Sequence, residues 1–219
     1  MFRKAFGKIN WVLKVFKKEQ YQTKHKIDSV VQSFPARFDK IKIKKHYRFE
    51  VTYLYQGKTP MKVEDCSITK IKNWIEKHYP EINVNYKVVV KKFIPIGSGF
   101  GGESSDAAFF LRYILKKNKI QNLTDEQIVD IAMNVGSDIP FFFKKTFIAH
   151  VNEYGNRVVP LKYSIPYNPD VIPFNHVIKS QDIYNMLDND PNYQSLIPDV
   201  KKLYDDIKVV AIEKNVVYN

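Results

Sequence analysis

The sequence predicts a fold that mixes β-strands with α-helices, and three observations carry that reading. Ile82, Val84, Tyr86, Val88 and Val90 alternate with polar or charged residues, the period of a strand with one buried face. Residues 95–102 follow at once as Pro-Ile-Gly-Ser-Gly-Phe-Gly-Gly, a run too rich in glycine to continue a strand. Beyond it Ala107, Ala108, Phe110, Leu111, Ile114 and Leu115 fall on one face of a helix. A glycine-rich turn therefore bridges a strand and a helix.

The remaining elements follow from the same two periods. Ile9, Trp11, Leu13 and Val15 alternate as a first strand, with Lys8 and Asn10 at its start. Ile41 and Ile43, then Phe49, Val51, Tyr53 and Tyr55, continue the alternation, and Gln56-Gly57 signals a turn. Ile68, Ile71, Trp74 and Ile75 have helical spacing, with Asp65 or Ser67 available as the N-cap. Thr124 and Gln127 form a capping box for a helix through Val135, which Gly136 would close. Asp138 lies just beyond. Residues 147–151 and 157–161 read as short strands, and 180–187 and 197–207 as helices.

Composition bounds the function. A chain of 219 residues, 44% hydrophobic and 14% aromatic, can bury a large core as one domain or as two closely packed lobes. The net charge of +12 favours an anionic partner: nucleic acid, a membrane surface or a polyphosphate. The lysines are scattered in pairs such as Lys17-Lys18 and Lys44-Lys45, which by itself describes a solvated basic surface. A single cysteine, Cys66, excludes an internal disulfide framework and any multi-cysteine metal site. The five histidines, His25, His46, His78, His150 and His176, have no close metal-ligand spacing. The N-terminus lacks the apolar core of a signal peptide and no stretch reaches the length of a membrane span, so the expected location is the cytoplasm.

Gly97, Gly99 and Gly102 satisfy G-x-G-x-x-G, but a dinucleotide site would want an acidic residue about 20 positions on at the end of a second parallel strand. Residues 118–125 read instead as a loop and a helix cap. A P-loop would end in Gly-Lys-Ser/Thr, which is missing. What remains is a glycine turn followed by Ser104-Ser105-Asp106 entering a helix. Glycines let a backbone approach phosphates, and helix N–H groups with the positive end of the dipole attract anions.

The string PIGSGFGGESSDAA resembles the second signature of the GHMP small-molecule kinases, and within them the kinases of 4-diphosphocytidyl-2-C-methyl-D-erythritol. Residues 5–10, Ala-Phe-Gly-Lys-Ile-Asn, are similar to that family's first signature, and residues 136–142, Gly-Ser-Asp-Ile-Pro-Phe-Phe, to the segment carrying its catalytic aspartate. His25 and residues 29–41 resemble the cytidine-contacting region, residues 64–66 the approach to the adenine-side helix, and residues 180–184 the segment that sets an aromatic beside the substrate base. The likeness runs in order from residue 5 to about 187.

The resemblance implies an α+β fold, with an N-terminal lobe of the ribosomal protein S5 domain 2 type over residues 1–149 and a curtailed ferredoxin-like lobe over 150–219. It implies ATP and Mg²⁺ as cofactors, Asp138 as base and Lys8 beside it favouring the developing alkoxide. Nucleotide contacts are expected from Pro95, Gly97, Ser98, Gly99, Gly101, Gly102, Ser104 and Ser105, with Ser105 on the magnesium ion. Asn10, His25 and Tyr184 are expected on the substrate, a small molecule carrying a diphosphate. No nucleic acid or membrane partner follows, and the chain is expected to be a monomer or homodimer.

Three departures stand out. No glycine follows Gly155, so the family's last glycine-rich signature is missing; Glu103 stands where a glycine is usual, and Cys66 where an asparagine is usual. They keep open a degenerate GHMP-like binding protein with little turnover, or a kinase with another acceptor. Charge alone keeps open a nucleic-acid-binding protein. Taken without the resemblance, Lys8 is a surface lysine, Asp138 a turn cap, His25 a solvent-facing ring and Tyr184 a core residue.

Overall fold

The computed structural model describes residues 1–55, 60–162 and 180–190, together with 199, 200, 202 and 205. Its elements, in chain order, are β1 (Arg3–Val15), β2 (Ile27–Lys45), β3 (Glu50–Tyr55), β4 (Met61–Lys62), α1 (Ser67–His78), β5 (Tyr86–Lys92), α2 (Gly102–Lys117), α3 (Asp125–Asn134), α4 (Ile139–Lys144), β6 (Ile148–Glu153), β7 (Arg157–Pro160) and α5 (Ser180–Asn189).

Seven strands make one sheet in the order β4-β3-β5-β2-β6-β7, with β1 pairing β2 off that path. All pairs are antiparallel except β3 with β5. A parallel pair needs a crossover, and β4 and α1 supply it. The long strand β2 is the spine: Ile27 to Gln32 pair with β6, and Lys40 to Lys45 pair with β5. Between these stretches its register against β1 jumps from Phe6↔Phe38 to Gly7↔Phe34, so Pro35, Ala36 and Arg37 bulge out and are exposed. Such a bulge bends the strand and twists its two ends apart.

The core lies on one face of this sheet. Ile41, Val51, Tyr53, Val88 and Val90 point inward against Ile68, Ile71, Trp74 and Ile75 of α1 and Ala107, Phe110, Leu111 and Ile114 of α2, all at 5% exposure or less. With α1 and α2 on that face, and Val30, Ile148 and the helical Val200 forming a smaller separate cluster, the mostly antiparallel sheet makes the expected α+β architecture.

Several element boundaries differ from the sequence pattern. Ile82 and Val84 are buried, yet the strand begins only at Tyr86, because residues 79–82 form a turn in which the Ile82 N–H reaches the Tyr79 carbonyl at 3.0 Å. Helix α1 is capped by neither Asp65 nor Ser67; Cys66 holds the N-cap position without a side-chain capping bond, its Sγ meeting Thr69 Oγ1 at 3.4 Å instead. The capping box of Thr124 and Gln127 is present in both halves, but α3 ends at Asn134 with Val135, not Gly136, as its C-cap. Helix α2 begins at Gly102, two residues before Ser104. The short helix α4 and the edge strand β4 have no counterpart in the sequence reading. Position 149/150, given there as the lobe boundary, falls within β6, which pairs with β2 as part of the one sheet. Of the ferredoxin-like lobe expected over 150–219, residues 163–179 and 191–198 lie outside the described residues, as do the Gln56-Gly57 turn, His176 and most of the helix expected over 197–207, within which Val200, Lys202 and Asp205 are helical.

Candidate active site

The glycine run is held from below by three buried ionisable groups. Strand β5 presents Tyr86, Val88 and Val90 inward, and Lys92 continues that register into the core. Its ammonium donates to Asp39 and, at 2.8 Å, to Asp106 on α2; none of the three is more than 3% exposed. The other oxygen of Asp39 accepts the Phe93 and Ile94 amides at 2.6 and 2.9 Å, so the chain is pinned where it leaves the strand. Burial pushes the Asp106 carboxyl up to about 8 against the pull of Lys92, while the two carboxyls outweigh burial at Lys92 and push it up to about 12. A buried ion cluster survives when its members satisfy one another; here Asp106 Oδ1 alone has no hydrogen-bond partner.

From that anchor the loop turns through Gly97, Gly99 and Gly101, all at positive φ. Gly101 is the most constrained: at φ +68° a Cβ would lie 2.9 Å from the Phe142 ring. It is also the N-cap of α2, and no side chain caps that helix. The first-turn N–H groups therefore have neither an intrahelical partner nor a side-chain cap, and Gly102, Glu103 and Ser104 line the space in front of the loop.

That space is a cavity of about 860 Å³. Lys8 and Asn10 from β1, the glycine loop from Pro95 through Ser104, Ser137 and Asp138, and His25 and Tyr184 all line it. Strand β1 is tied to the loop, since the Lys8 amide donates to the Phe100 carbonyl at 2.9 Å. The Lys8 ammonium donates to Asn10 Oδ1 at 2.8 Å and lies 3.4 Å from the Asp138 carboxylate. Asp138 occupies the N-cap position of α4, yet its side chain makes no capping bond. The carboxylate is turned to Lys8 and the cavity, so the cap reading does not describe it. Gly155, at φ +88° between β6 and β7, makes room for this segment: a Cβ there would lie 2.2 Å from the Ser137 carbonyl oxygen.

At the other end of the cavity, His25 and Tyr184 meet with ring centroids 4.9 Å apart. His25 Nε2 bonds to Asp188 Oδ1 at 2.8 Å, and Lys18 pairs with the same carboxylate at 3.2 Å. Burial would raise the Asp188 carboxyl, but the hydrogen bonds from His25 and Lys18 outweigh it and hold the group below the usual range. Burial pushes the Tyr184 phenol up, with the charge of Asp138 adding to it. Lys24 also lines this end; its ammonium donates to the Ala132 carbonyl at 2.8 Å, and burial draws its pKa down.

Of the catalytic and binding residues expected from the sequence, Ser105 alone does not line the cavity. Its hydroxyl donates to the Phe6 carbonyl at 2.7 Å and the residue is buried, tying α2 to β1. The helical turn sets Ser104 on the cavity instead and Ser105 about 100° round from it. The magnesium contact expected from Ser105 is therefore corrected. Oxygen donors at this end include the Ser104 hydroxyl and the Glu103 carboxylate, and a single carboxylate suits Mg²⁺, which takes one or two carboxylates along with substrate phosphates. Among the described residues no group of three or more His, Cys, Asp or Glu could form a protein-only metal cage.

The sequence reading missed Asp39, Lys92, Asp106 and Asp188. The first three had a signal: Asp39 is in period-two register with Ile41 and Ile43, Lys92 with Val88 and Val90, and Asp106 sits on the apolar face of α2 beside Ala107 and Phe110. Charged residues at core positions require partners. Asp188 had none, because its partner His25 is brought to it only by the fold.

The chain has relatives. The family model for the GHMP kinases N terminal domain matches residues 67–145. A 4-diphosphocytidyl-2-C-methyl-D-erythritol kinase of Fusobacterium nucleatum is 31% identical over 223 residues, covering 96% of this chain and 71% of its own. One of Ureaplasma parvum is 28% identical over 206 residues, covering 91% and 76%. Among solved structures, a 4-(cytidine 5'-diphospho)-2C-methyl-D-erythritol kinase superposes with a TM-score of 0.64 at 18% identity, covering 96% of this chain and 72% of its own. A mevalonate diphosphate decarboxylase from Legionella pneumophila gives 0.59 at 15% identity, with 98% and 71% covered. Among the described residues no helix is long and apolar enough to cross a membrane.

Proposed function

The chain belongs to the 4-diphosphocytidyl-2-C-methyl-D-erythritol kinase family of GHMP kinases, and on that premise we propose that Asp138 takes the proton from the acceptor hydroxyl while Lys8 steadies the charge that develops. The reaction is transfer of the γ-phosphoryl group of ATP to a hydroxyl of 4-diphosphocytidyl-2-C-methyl-D-erythritol, a step in non-mevalonate isoprenoid precursor synthesis.

Phosphoryl transfer asks a protein chiefly for positioning, for neutralising charge on the phosphates, and for a base near the nucleophile. The loop of Pro95, Gly97, Ser98, Gly99, Gly101 and Gly102, with the uncapped end of α2, offers backbone N–H groups to the phosphates. Ser104 and Glu103 would hold Mg²⁺, which supplies charge neutralisation across the phosphate oxygens. Asn10 fixes the Lys8 ammonium between itself and Asp138. At the far end, Tyr184 offers a ring face to the base of the acceptor, and Asp188 fixes the orientation of the His25 ring beside it.

The observation that carries this reading is the Lys8–Asp138 pair at 3.4 Å, open to the same cavity as the glycine loop. A degenerate binding protein would have no use for that pairing. The test is turnover of purified protein with ATP and Mg²⁺ on 4-diphosphocytidyl-2-C-methyl-D-erythritol, homoserine, mevalonate and phosphomevalonate. ADP release specific to the first is expected. ATP binding without turnover on any acceptor would favour the degenerate protein, and turnover on another acceptor would redirect the substrate assignment.

A further inference from the structure

Glu103 puts a carboxylate where the geometry otherwise gathers groups that attract anions. It occupies the first turn of α2, and the N-terminus of α1 lies beside it, since Ser67 Oγ approaches Glu103 Oε2 at 3.5 Å. Neither helix has a side-chain cap, so the carboxylate sits between two partly positive helix ends and on the wall of the cavity. The lysines lining the cavity are otherwise engaged. Lys92 is held by Asp39 and Asp106, Lys8 by Asn10 and Asp138, and Lys24 by the Ala132 carbonyl. A metal-free triphosphate entering this end therefore meets helix ends partly neutralised by a fixed negative charge. A phosphate-bound divalent cation meets that charge as a ligand.

We infer that Glu103 makes nucleotide binding depend on the divalent cation, rejecting free ATP and admitting the magnesium complex. The inference rests on the kinase reading above and adds a selectivity to the same site. One unit charge several ångströms from the phosphates, in surroundings between water and protein interior, shifts affinity by roughly tenfold.

The test is equilibrium binding of ATP, by calorimetry at constant ionic strength, with excess Mg²⁺ and with EDTA, for wild type, Glu103→Gln and Glu103→Asp. Wild type is expected to bind ATP about tenfold more tightly with the metal than without it. Glu103→Gln should gain affinity for metal-free ATP and lose most of that ratio, whereas Glu103→Asp, which keeps the charge, should retain the ratio. Wild type that binds equally well in both conditions overturns the role of Glu103 and leaves the kinase reading standing. So does Glu103→Gln with an unchanged ratio, or with both affinities reduced alike, which would make Glu103 a structural partner of Ser67. Wild type that binds ATP in neither condition overturns the kinase reading and this inference with it.

Discussion

Asp138 and Lys8 come from opposite ends of the described sheet-and-helix unit and meet at 3.4 Å with the carboxylate still open to the cavity. Because the base proposed here would serve the acceptor rather than the nucleotide, Asp138→Asn should lower kcat by about 10² to 10⁴, the usual worth of a general base, while ATP affinity stays within about twofold. Steady-state kinetics with a nucleotide titration separates the two; a kcat left unchanged would remove Asp138 as the base. A second residue-scale prediction concerns stability. The Asp106 carboxyl, buried and pushed up to about 8, keeps in the folded protein a proton that the unfolded chain releases near pH 4. Its contribution is whole below about pH 4 and is lost as the pH rises through about 8. Asp106→Asn mimics the protonated form, so wild type should lose stability relative to the variant between pH 5 and 9. Urea denaturation at pH 5, 7 and 9 reads this directly, and parallel curves would show that Asp106 does not titrate in that range.

At the scale of elements, two glycines should separate effects on nucleotide binding from effects on chemistry. Gly101 joins the loop to α2 at φ +68° with the Phe142 ring against its α-carbon, so Gly101→Ala combines backbone strain of about 1–3 kcal/mol with a clash in the phosphate cradle. The expected result is a rise of about tenfold in KM for ATP. Gly155 lies between β6 and β7, and its added methyl would meet the Ser137 carbonyl, displacing the segment that carries Asp138. Gly155→Ala should therefore depress kcat more than KM for ATP, since a misplacement of about 1 Å at a reacting group can cost on the order of 10² in rate. If both variants shifted the same parameter, the assignment of the loop to nucleotide and of the β6–β7 turn to catalysis would be wrong. The sequence showed the first of these glycines through its place between two periodicities. It gave no hint that the second presses on Ser137, because that contact exists only once β6, β7 and α4 have packed together.

For the whole molecule, the charge of +12 fits a protein whose two substrates are polyphosphates. Long-range attraction to anions is screened over about 10 Å at 0.1 M salt. Raising salt from about 0.05 to 0.5 M should therefore lower kcat/KM for ATP severalfold with kcat little changed; a salt-independent kcat/KM would mean that the surface charge does not guide the ligands.

The α+β character, the strand-glycine-helix unit and the family likeness are legible in the sequence, which also names Lys8, Asp138, His25 and Tyr184, residues that the fold gathers on one cavity. Those features are local or are ordered motifs: periodicity reports which face an element buries, and a glycine run between two periods reports a turn whatever lies around it. The tertiary structure decided that Ser104 and not Ser105 faces the cavity, that Asp39, Lys92 and Asp106 anchor the loop, and that Asp188 holds His25. Each depends on how far a helix is rotated about its axis or on which strands become neighbours. Those quantities are fixed by packing the whole core at once, so no single stretch of sequence carries them.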